Sequence, residues 1–466
     1  MQDSRTRRAV LGVMLSIFLA AMESTVVATA MPKVIGSLGG IQMYSWVFSG
    51  FLLTSTVTMP LWGRLSDFYG RRAVYLTGLT IFLAGSALSG LARTMFELIV
   101  FRMLQGLGAG SLITIGMTIV GDLFRLERRA KMQGYISGVW GVASLIGPLL
   151  GGLLTDYVSW RWVFYINLPF GLIAMMLIGG ALDRGRPTGR MLIIDYAGIA
   201  FFAAGVSALL LGVVQAGRVG AWSGLDVLGL LVIGVATLVA FVAVERRAPA
   251  PIVPLDLFAN RVVLAAVATG FLAGMAMFGA ISFVPLFLQQ VVGTSATVAG
   301  FVLTPFVIGW VVLSAASARL VLRIGYRTVV FAGMICLALA FVLFTRWDST
   351  LTTGMAMRDV LLGGVGMGLN MVPMLIAVQS AVPRTELGVA TSMTQFFRAV
   401  GGTLGLSVMG AVMAQRLHAG LPMVVALHGV FVVGLVICVA ALGAAFLVPP
   451  GRAAELARAE PRTAGG

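Results

Sequence analysis

Three charged side chains stand inside long apolar runs and are the first candidates for chemistry: Glu23, Arg102 and Arg398. Glu23 lies 15 residues beyond Arg8, which puts it roughly 22 Å along a helix rising about 1.5 Å per residue. A charged carboxylate at that depth of a membrane costs several kcal/mol, so it must be protonated, paired or facing a wet cavity. A carboxyl that binds and releases one proton per cycle is what coupling to a proton gradient requires. The plainer role is a structural carboxylate bonded to nearby Ser or Thr hydroxyls. Arg102 has no cheap neutral form and must pair or line water. Gln105, one turn further on, can share its network, and a static brace to backbone carbonyls is the alternative. Arg398, about 15 Å past Gly388 by the same rise, fits a gate or brace against a carbonyl or carboxylate, or a contact for an anionic substrate group.

The segments that must position these groups span a membrane. Hydrophobic residues make up 59% of the chain and charged residues 11%, outside the range of soluble globular domains. Stretches of about 18 or more residues with few charges recur, each long enough to cross a hydrocarbon core as a helix. Fourteen are expected, centred near residues 20, 54, 82, 110, 143, 172, 205, 234, 276, 308, 336, 368, 401 and 437. The short alternating strands of a membrane β-barrel are absent from the pattern. The first apolar run has no small-residue cleavage site after it and reads as a retained helix. Cys336 and Cys438 fall inside spans and imply neither disulfide nor metal.

The net charge of +15 raises nucleic acid as a partner, and the distribution of charge argues against it. With both termini cytoplasmic, only Lys33, Arg93, Arg161, Arg218, Arg346, Arg358 and Arg416 fall on the outer side, and Arg102 and Arg398 within spans. The rest are scattered over cytoplasmic segments, the positive-inside bias that fixes orientation and meets anionic headgroups.

Gly63-Arg64-Leu65-Ser66-Asp67-Phe68-Tyr69-Gly70-Arg71-Arg72 joins two spans with no room for a domain, so it is a tight cytoplasmic hairpin. In Ala143-x-x-x-Gly147-Pro148-Leu149-Leu150-Gly151-Gly152 the proline removes a backbone hydrogen bond, while Ala143, Gly147 and Gly151 form a small-residue face for close helix packing. The chain also repeats. A shift of about 255 residues places Ala318-Arg319-Leu320 on Gly63-Arg64-Leu65 and Gly325-Tyr326-Arg327 on Gly70-Arg71-Arg72. Nearly the same shift places Gly364, Gly366 and Gly368 on Gly106, Gly108 and Gly110, and Gly401 and Gly405 on Gly147 and Gly151. Six spans need only about 180–200 residues, so the offset leaves room for two more, which 195–245 supply.

The hairpin resembles motif A of the major facilitator superfamily. Glu23 through Pro32 is similar to the first-helix motif of its fourteen-span drug:proton antiporter branch, with Glu for the usual Asp. Arg102-Met103-Leu104-Gln105-Gly106-Leu107-Gly108-Ala109-Gly110 resembles motif B, and Gly147 to Gly152 the antiporter motif, with Ala143 where Gly is commoner. Trp160-Arg161-Trp162-Val163-Phe164-Tyr165-Ile166-Asn167-Leu168-Pro169 matches a stretch typical of the branch. The resemblance implies an all-α polytopic fold of 14 helices in a 6 + 2 + 6 plan with two pseudo-symmetric bundles. Its divisions are 1–185, an inserted pair at 186–250, a second bundle at 251–448 and a cytoplasmic tail at 449–466.

The resemblance further implies that Arg102 biases protonation of Glu23, and that Asp67 caps the N-terminus of the eleventh core helix. It also implies that Arg71 pairs with Asp122, forming with Gly63, Gly70 and Arg72 a latch that opens and closes. The small-residue face would pack against the eighth core helix. Export of amphipathic compounds driven by the proton gradient, with no cofactor and no metal, is the implied activity. Protons, lipids and a small-molecule substrate are the partners, in a monomer of the bacterial cytoplasmic membrane. A dedicated exporter or flippase of a metabolite or lipid, and a sensor that has lost transport, are the alternatives; a sensor gains nothing from buried charge. No P-loop supports an ATP-driven pump, and neither His418 nor His428 has a ligand cluster. A broad apolar cavity could draw on Trp140, Phe283, Phe287, Gln289, Gln290, Asn370 and Met374.

Overall fold

The computed structural model describes residues 2–40, 43–124, 126–182, 195–219, 222–249 and 251–450. The tail from 451 and the 186–194 edge of the expected inserted region lie outside the described residues. Helices dominate, because each apolar run satisfies its own backbone groups only by coiling. In chain order they are α1 (Gln2–Leu38), α2 (Tyr44–Tyr69), α3 (Arg71–Leu91), α4 (Met95–Leu123), α5 (Leu126–Tyr157), α6 (Trp162–Tyr165), α7 (Asn167–Ala181), α8 (Tyr196–Val219) and α9 (Leu225–Glu245). Then follow α10 (Arg261–Phe287), α11 (Ala296–Phe301), α12 (Thr304–Ile324), α13 (Tyr326–Phe344), α14 (Thr353–Ala381), α15 (Leu387–His418) and α16 (Met423–Ala445).

Among the described residues, 11 helical segments are long and apolar enough to cross a membrane. Three further long helices, α1, α2 and α5, fall outside that set. Of these, α2 is rich in Ser and Thr, which lowers its hydropathy without preventing burial against neighbours.

The chain divides into two compact units. One holds Met1–Arg125, Tyr135–Ile194 and Arg384–Ser392; the other holds Leu126–Gly134, Asp195–Pro383 and Met393–Gly466. The internal repeat is visible in both. In the first, α4 packs on α2 and α3, and α1 on α7; in the second, α14 packs on α12 and α13, and α10 on α16.

The glycine triplets explain the spacing. Gly106 and Gly110 face α2, with Gly110 so close that a Cβ would lie 2.5 Å from the Ser55 carbonyl, while Gly108 faces α3 at Gly78. Gly364 and Gly368 face α12 likewise, a Cβ on Gly368 lying 2.6 Å from the Trp310 carbonyl, and Gly366 faces Gly333 of α13. The contacted residues are themselves related by the 255-residue shift: Phe51 and Phe306, Ser55 and Trp310, Gly78 and Gly333. Gly70 (φ 86°) and Gly325 (φ 84°) turn the two equivalent hairpins, a backbone region nearly closed to other residues.

In the second unit, α8 and α9 interlock through Gly205, Gly212 and Gly234 against leucines. Phe202 of α8 meets Phe396 of α15 with ring centroids 5.3 Å apart.

Candidate functional site

The close approach of α4 to α2 carries Arg102, one turn before Gly106, into the interior of the first unit. Its guanidinium pairs with Glu23 of α1 through Nη1 and Oε1, and Nη1 also donates to Gln105 Oε1 at 2.8 Å. Arg102 Nε reaches the Val47 carbonyl of α2 at 3.4 Å. The guanidinium carbon sits 4.2 Å from the Phe51 ring centroid and 5.9 Å from that of Phe164. Glu23 Oε2 accepts from Asn167 Nδ2 of α7 at 2.6 Å. That amide also donates to Ser86 Oγ of α3 at 2.9 Å, and Ser86 donates to the Phe164 carbonyl at 2.8 Å. Glu23, Gln105, Asn167 and Ser86 are 0% exposed and Arg102 1%.

The carboxyl of α1 is thus held by α4 and α7, with α2 and α3 bonded behind them. An ion pair taken this far from water needs both partners and their further hydrogen bonds, because either charge left alone is strongly unfavourable. The pair is electrically balanced when Glu23 is ionised, and a proton on Glu23 leaves Arg102 unbalanced. Proton binding here is therefore tied to the position of Arg102. Two buried amide atoms at the site, Gln105 Nε2 and Asn167 Oδ1, have no partner. Asn167 and Ser86 were not singled out by sequence reasoning. Asn167 lies in the quoted aromatic stretch, but only the tertiary fold brings it to Glu23.

A second constellation lies at the α2–α3 hairpin, also in the first unit. Arg71 Nη1 donates to Asp67 Oδ1 at 2.5 Å and to Ser66 Oγ at 2.7 Å, and its Nε to Asp122 Oδ2 of α4 at 2.8 Å. The Gly388 and Val389 N–H groups, in the first turn of α15, donate to Asp67 Oδ1 and Oδ2, each at 2.9 Å. A carboxylate on the unpaired N–H groups of a helix start is favoured by the helix dipole. Gly63 stands against Gly388 and Ser392, where a Cβ would lie 2.6 Å from the Gly388 carbonyl. Arg72, half-buried, takes no part in these bonds.

Of the small-residue face of α5, Ala143, Gly147 and Gly151 are buried, and Gly151 faces Val26 and Thr29 of α1. In the second unit, Gly134 of α5 approaches α12, where a Cβ would sit 3.0 Å from Ala315 Cα. Gly152 faces open space, and the Pro148 side chain lies outside the described residues.

Arg398, half-buried on α15, donates to Met371 Sδ at 3.4 Å and has no carboxylate partner among the described residues. The expected cavity residues are scattered. Phe287 is fully buried in an aromatic cluster with Trp347, His428 and Phe431. That is packing within the second unit, and it corrects the expectation of a cavity role for Phe287. Phe283, Met374 and Asn370 are also buried, Asn370 with its Oδ1 unpartnered. Trp140 is half-buried, and Gln289 and Gln290 are exposed on the π-helical turn Leu288–Val292.

The Major Facilitator Superfamily profile matches residues 13–406. Multidrug transporter protein MdtP of Bacillus subtilis is 42% identical over 415 residues, 89% of this chain and 76% of that protein. Multidrug resistance protein 3 of the same organism is 35% identical over 411 residues, 88% of this chain and 80% of that protein. The human organic anion transporter MFSD10 superposes with a TM-score of 0.67 over 95% of this chain and 99% of its own at 19% identity, a likeness of fold alone. With matches that run through both repeats and every buried charge described above, the chain belongs to the Major Facilitator Superfamily and is a multi-pass membrane transporter, not an enzyme.

Proposed function

We propose that the chain is a proton-coupled antiporter that exports amphipathic, drug-like compounds by alternating access. It would do so through fourteen spans, α1, α2 and α5 joining the eleven more apolar segments, as a monomer in the bacterial cytoplasmic membrane with both termini cytoplasmic. The observation that carries this reading is the fully buried Glu23–Arg102 pair. No ATP-binding loop stands in the sequence, so a gradient supplies the energy. Multidrug relatives at 42% and 35% identity support the substrate class.

In this cycle Glu23 takes a proton from outside and gives it up inside, and the net charge of the Glu23–Arg102 pair differs between the two loads. A two-state scaffold converts such a local charge change into opening at one side or the other. Asp67 on the first turn of α15, with Arg71 and Asp122, forms the cytoplasmic latch that makes and breaks. The test is dye export in proteoliposomes under an imposed proton gradient, wild type against Glu23→Gln. Gradient-driven movement of a cationic dye should be lost in the variant; movement unchanged in Glu23→Gln would remove Glu23 from coupling.

Arg398 favours a second reading. A guanidinium without a carboxylate partner can take an anionic group of the cargo, as a dedicated exporter or flippase of a metabolite or lipid would need. Competition separates the two: diverse drugs inhibit one another's export through a polyspecific carrier, and a dedicated carrier ignores most of them.

A further inference from the structure

We propose that Asn167 and Ser86 form a proton-linked hydrogen-bond switch that positions Glu23 in both of its protonation states, an inference that rests on Glu23 being the coupling carboxyl. With Glu23 ionised, Oε2 is an acceptor and faces Asn167 Nδ2 at 2.6 Å. The same Nδ2 donates to Ser86 Oγ at 2.9 Å, and the Ser86 hydroxyl donates to the Phe164 carbonyl at 2.8 Å. The donors named here each meet an acceptor, and Asn167 Oδ1 is left buried without a donor.

A proton arriving on Oε2 reverses the requirement. The new O–H would face the N–H of the amide, donor against donor, between side chains that are 0% exposed. A half-turn of the amide exchanges Nδ2 for Oδ1, which then accepts the Glu23 O–H. Ser86 is a hydroxyl, able to accept or donate, so it swings from the Phe164 carbonyl to the same Oδ1. The Phe164 carbonyl keeps the Ile166 N–H as a donor after the swing. No covalent bond forms or breaks apart from the O–H made when Oε2 takes the proton.

Arg102 holds Oε1 throughout, so the proton is steered to Oε2 and read there by the amide. Among the described residues that bond to Glu23, Arg102 of α4 is the one charged group. The polar groups around it are Gln105 of α4, which accepts from Arg102, Asn167 of α7 and, behind Asn167, Ser86 of α3. Asn167 is a positioning residue: it takes no proton itself, and it offers Oε2 a donor when the carboxyl is ionised and an acceptor when it is protonated.

The experiment is infrared difference spectroscopy of the reconstituted full chain between acid and alkaline buffer, with asparagine carrying a carbonyl isotope label. Wild type should show a protonated-carboxyl band and, in the same spectrum, a shift of the labelled Asn amide carbonyl. Both should vanish in Glu23→Gln. In Asn167→Leu the carboxyl band should persist at a changed frequency, without the amide shift. In Ser86→Ala the amide shift should change, and the pH profile of transport should be displaced by about one unit. An amide carbonyl indifferent to Glu23 protonation in wild type overturns the switch whatever the variants do, and so does an unchanged pH profile in Ser86→Ala. Absence of the carboxyl band in wild type overturns the coupling role of Glu23 and the switch with it, so the two failures are distinct.

Discussion

Replacing Arg102 by Met keeps an unbranched side chain, shorter than arginine, and removes its charge, leaving Glu23 with the Asn167 donor at 2.6 Å. Breaking a buried ion pair from one side costs about 3–5 kcal/mol, whereas replacing both partners by neutral groups of similar volume is often nearly neutral. Two other losses accompany the single change. Gln105 Oε1 loses its 2.8 Å donor, and the Phe51 face loses its cation, together worth about 1–3 kcal/mol. The double variant Arg102→Met/Glu23→Gln suffers these smaller losses but carries no stranded charge. Because those smaller losses are common to both, it should be more stable than Arg102→Met alone by about 3–5 kcal/mol. Reversible unfolding in mixed micelles at alkaline pH, followed by Trp fluorescence, measures both. Glu23→Gln alone should fall with Arg102→Met, since it strands the guanidinium instead. A double variant no more stable than Arg102→Met would mean that the two groups do not act as an ion pair in the folded protein. The role of Arg102 in holding Glu23 would then have to be abandoned.

Asp67→Asn keeps one acceptor for the two N–H groups of α15 and removes the charge that the helix start favours. Hydrogen exchange at Gly388 and Val389 should quicken by about tenfold, a cost near 1.4 kcal/mol, and unchanged exchange would show that the carboxylate does not hold that turn. Two glycine substitutions should differ in sign. Gly110→Ala drives a methyl onto the Ser55 carbonyl and should lower stability by about 1–3 kcal/mol. Gly152→Ala, facing open space on α5, should raise it by about 0.5–1 kcal/mol, and thermal unfolding of both against wild type decides the point.

What the sequence made legible was whatever leaves a local mark. The helices follow from apolar runs, the hairpins from Gly70 and Gly325, and the duplicated packing from glycines whose spacing survives a shift of about 255 residues. The charges were legible because Glu23 and Arg102 break runs that tolerate no charge. What could not be read was the partnership of groups far apart in the chain. Asn167 is 144 residues from Glu23, and nothing in its aromatic surroundings marks it as the donor to that carboxyl. The aromatic residues failed for the opposite reason. Phe287 has the composition of a cavity wall, but so does every span, and its neighbours Trp347 and Phe431 make it core.

The second half of the chain also serves as an internal control on why the buried charges exist. It packs α14 on α12 and α13 through the same three-glycine pattern that packs α4 on α2 and α3. The shift that superposes those glycines puts Val360, 1% exposed, where Arg102 stands, and Gly363 where Gln105 stands. At the hairpin, where the matching shift is 255 residues, Leu322 stands in place of Asp67, and Gly325 turns there with the same positive φ as Gly70. The architecture therefore forms with apolar residues at these positions, and an apolar replacement for a buried ion pair is commonly as stable or more so. Neither Arg102 with its carboxylate partner nor the Asp67 cap is required to build the bundle. Groups that the fold does not need, held where desolvation makes them costly, are explained by what they do in the membrane, and proton coupling at Glu23 is the use that fits the first pair.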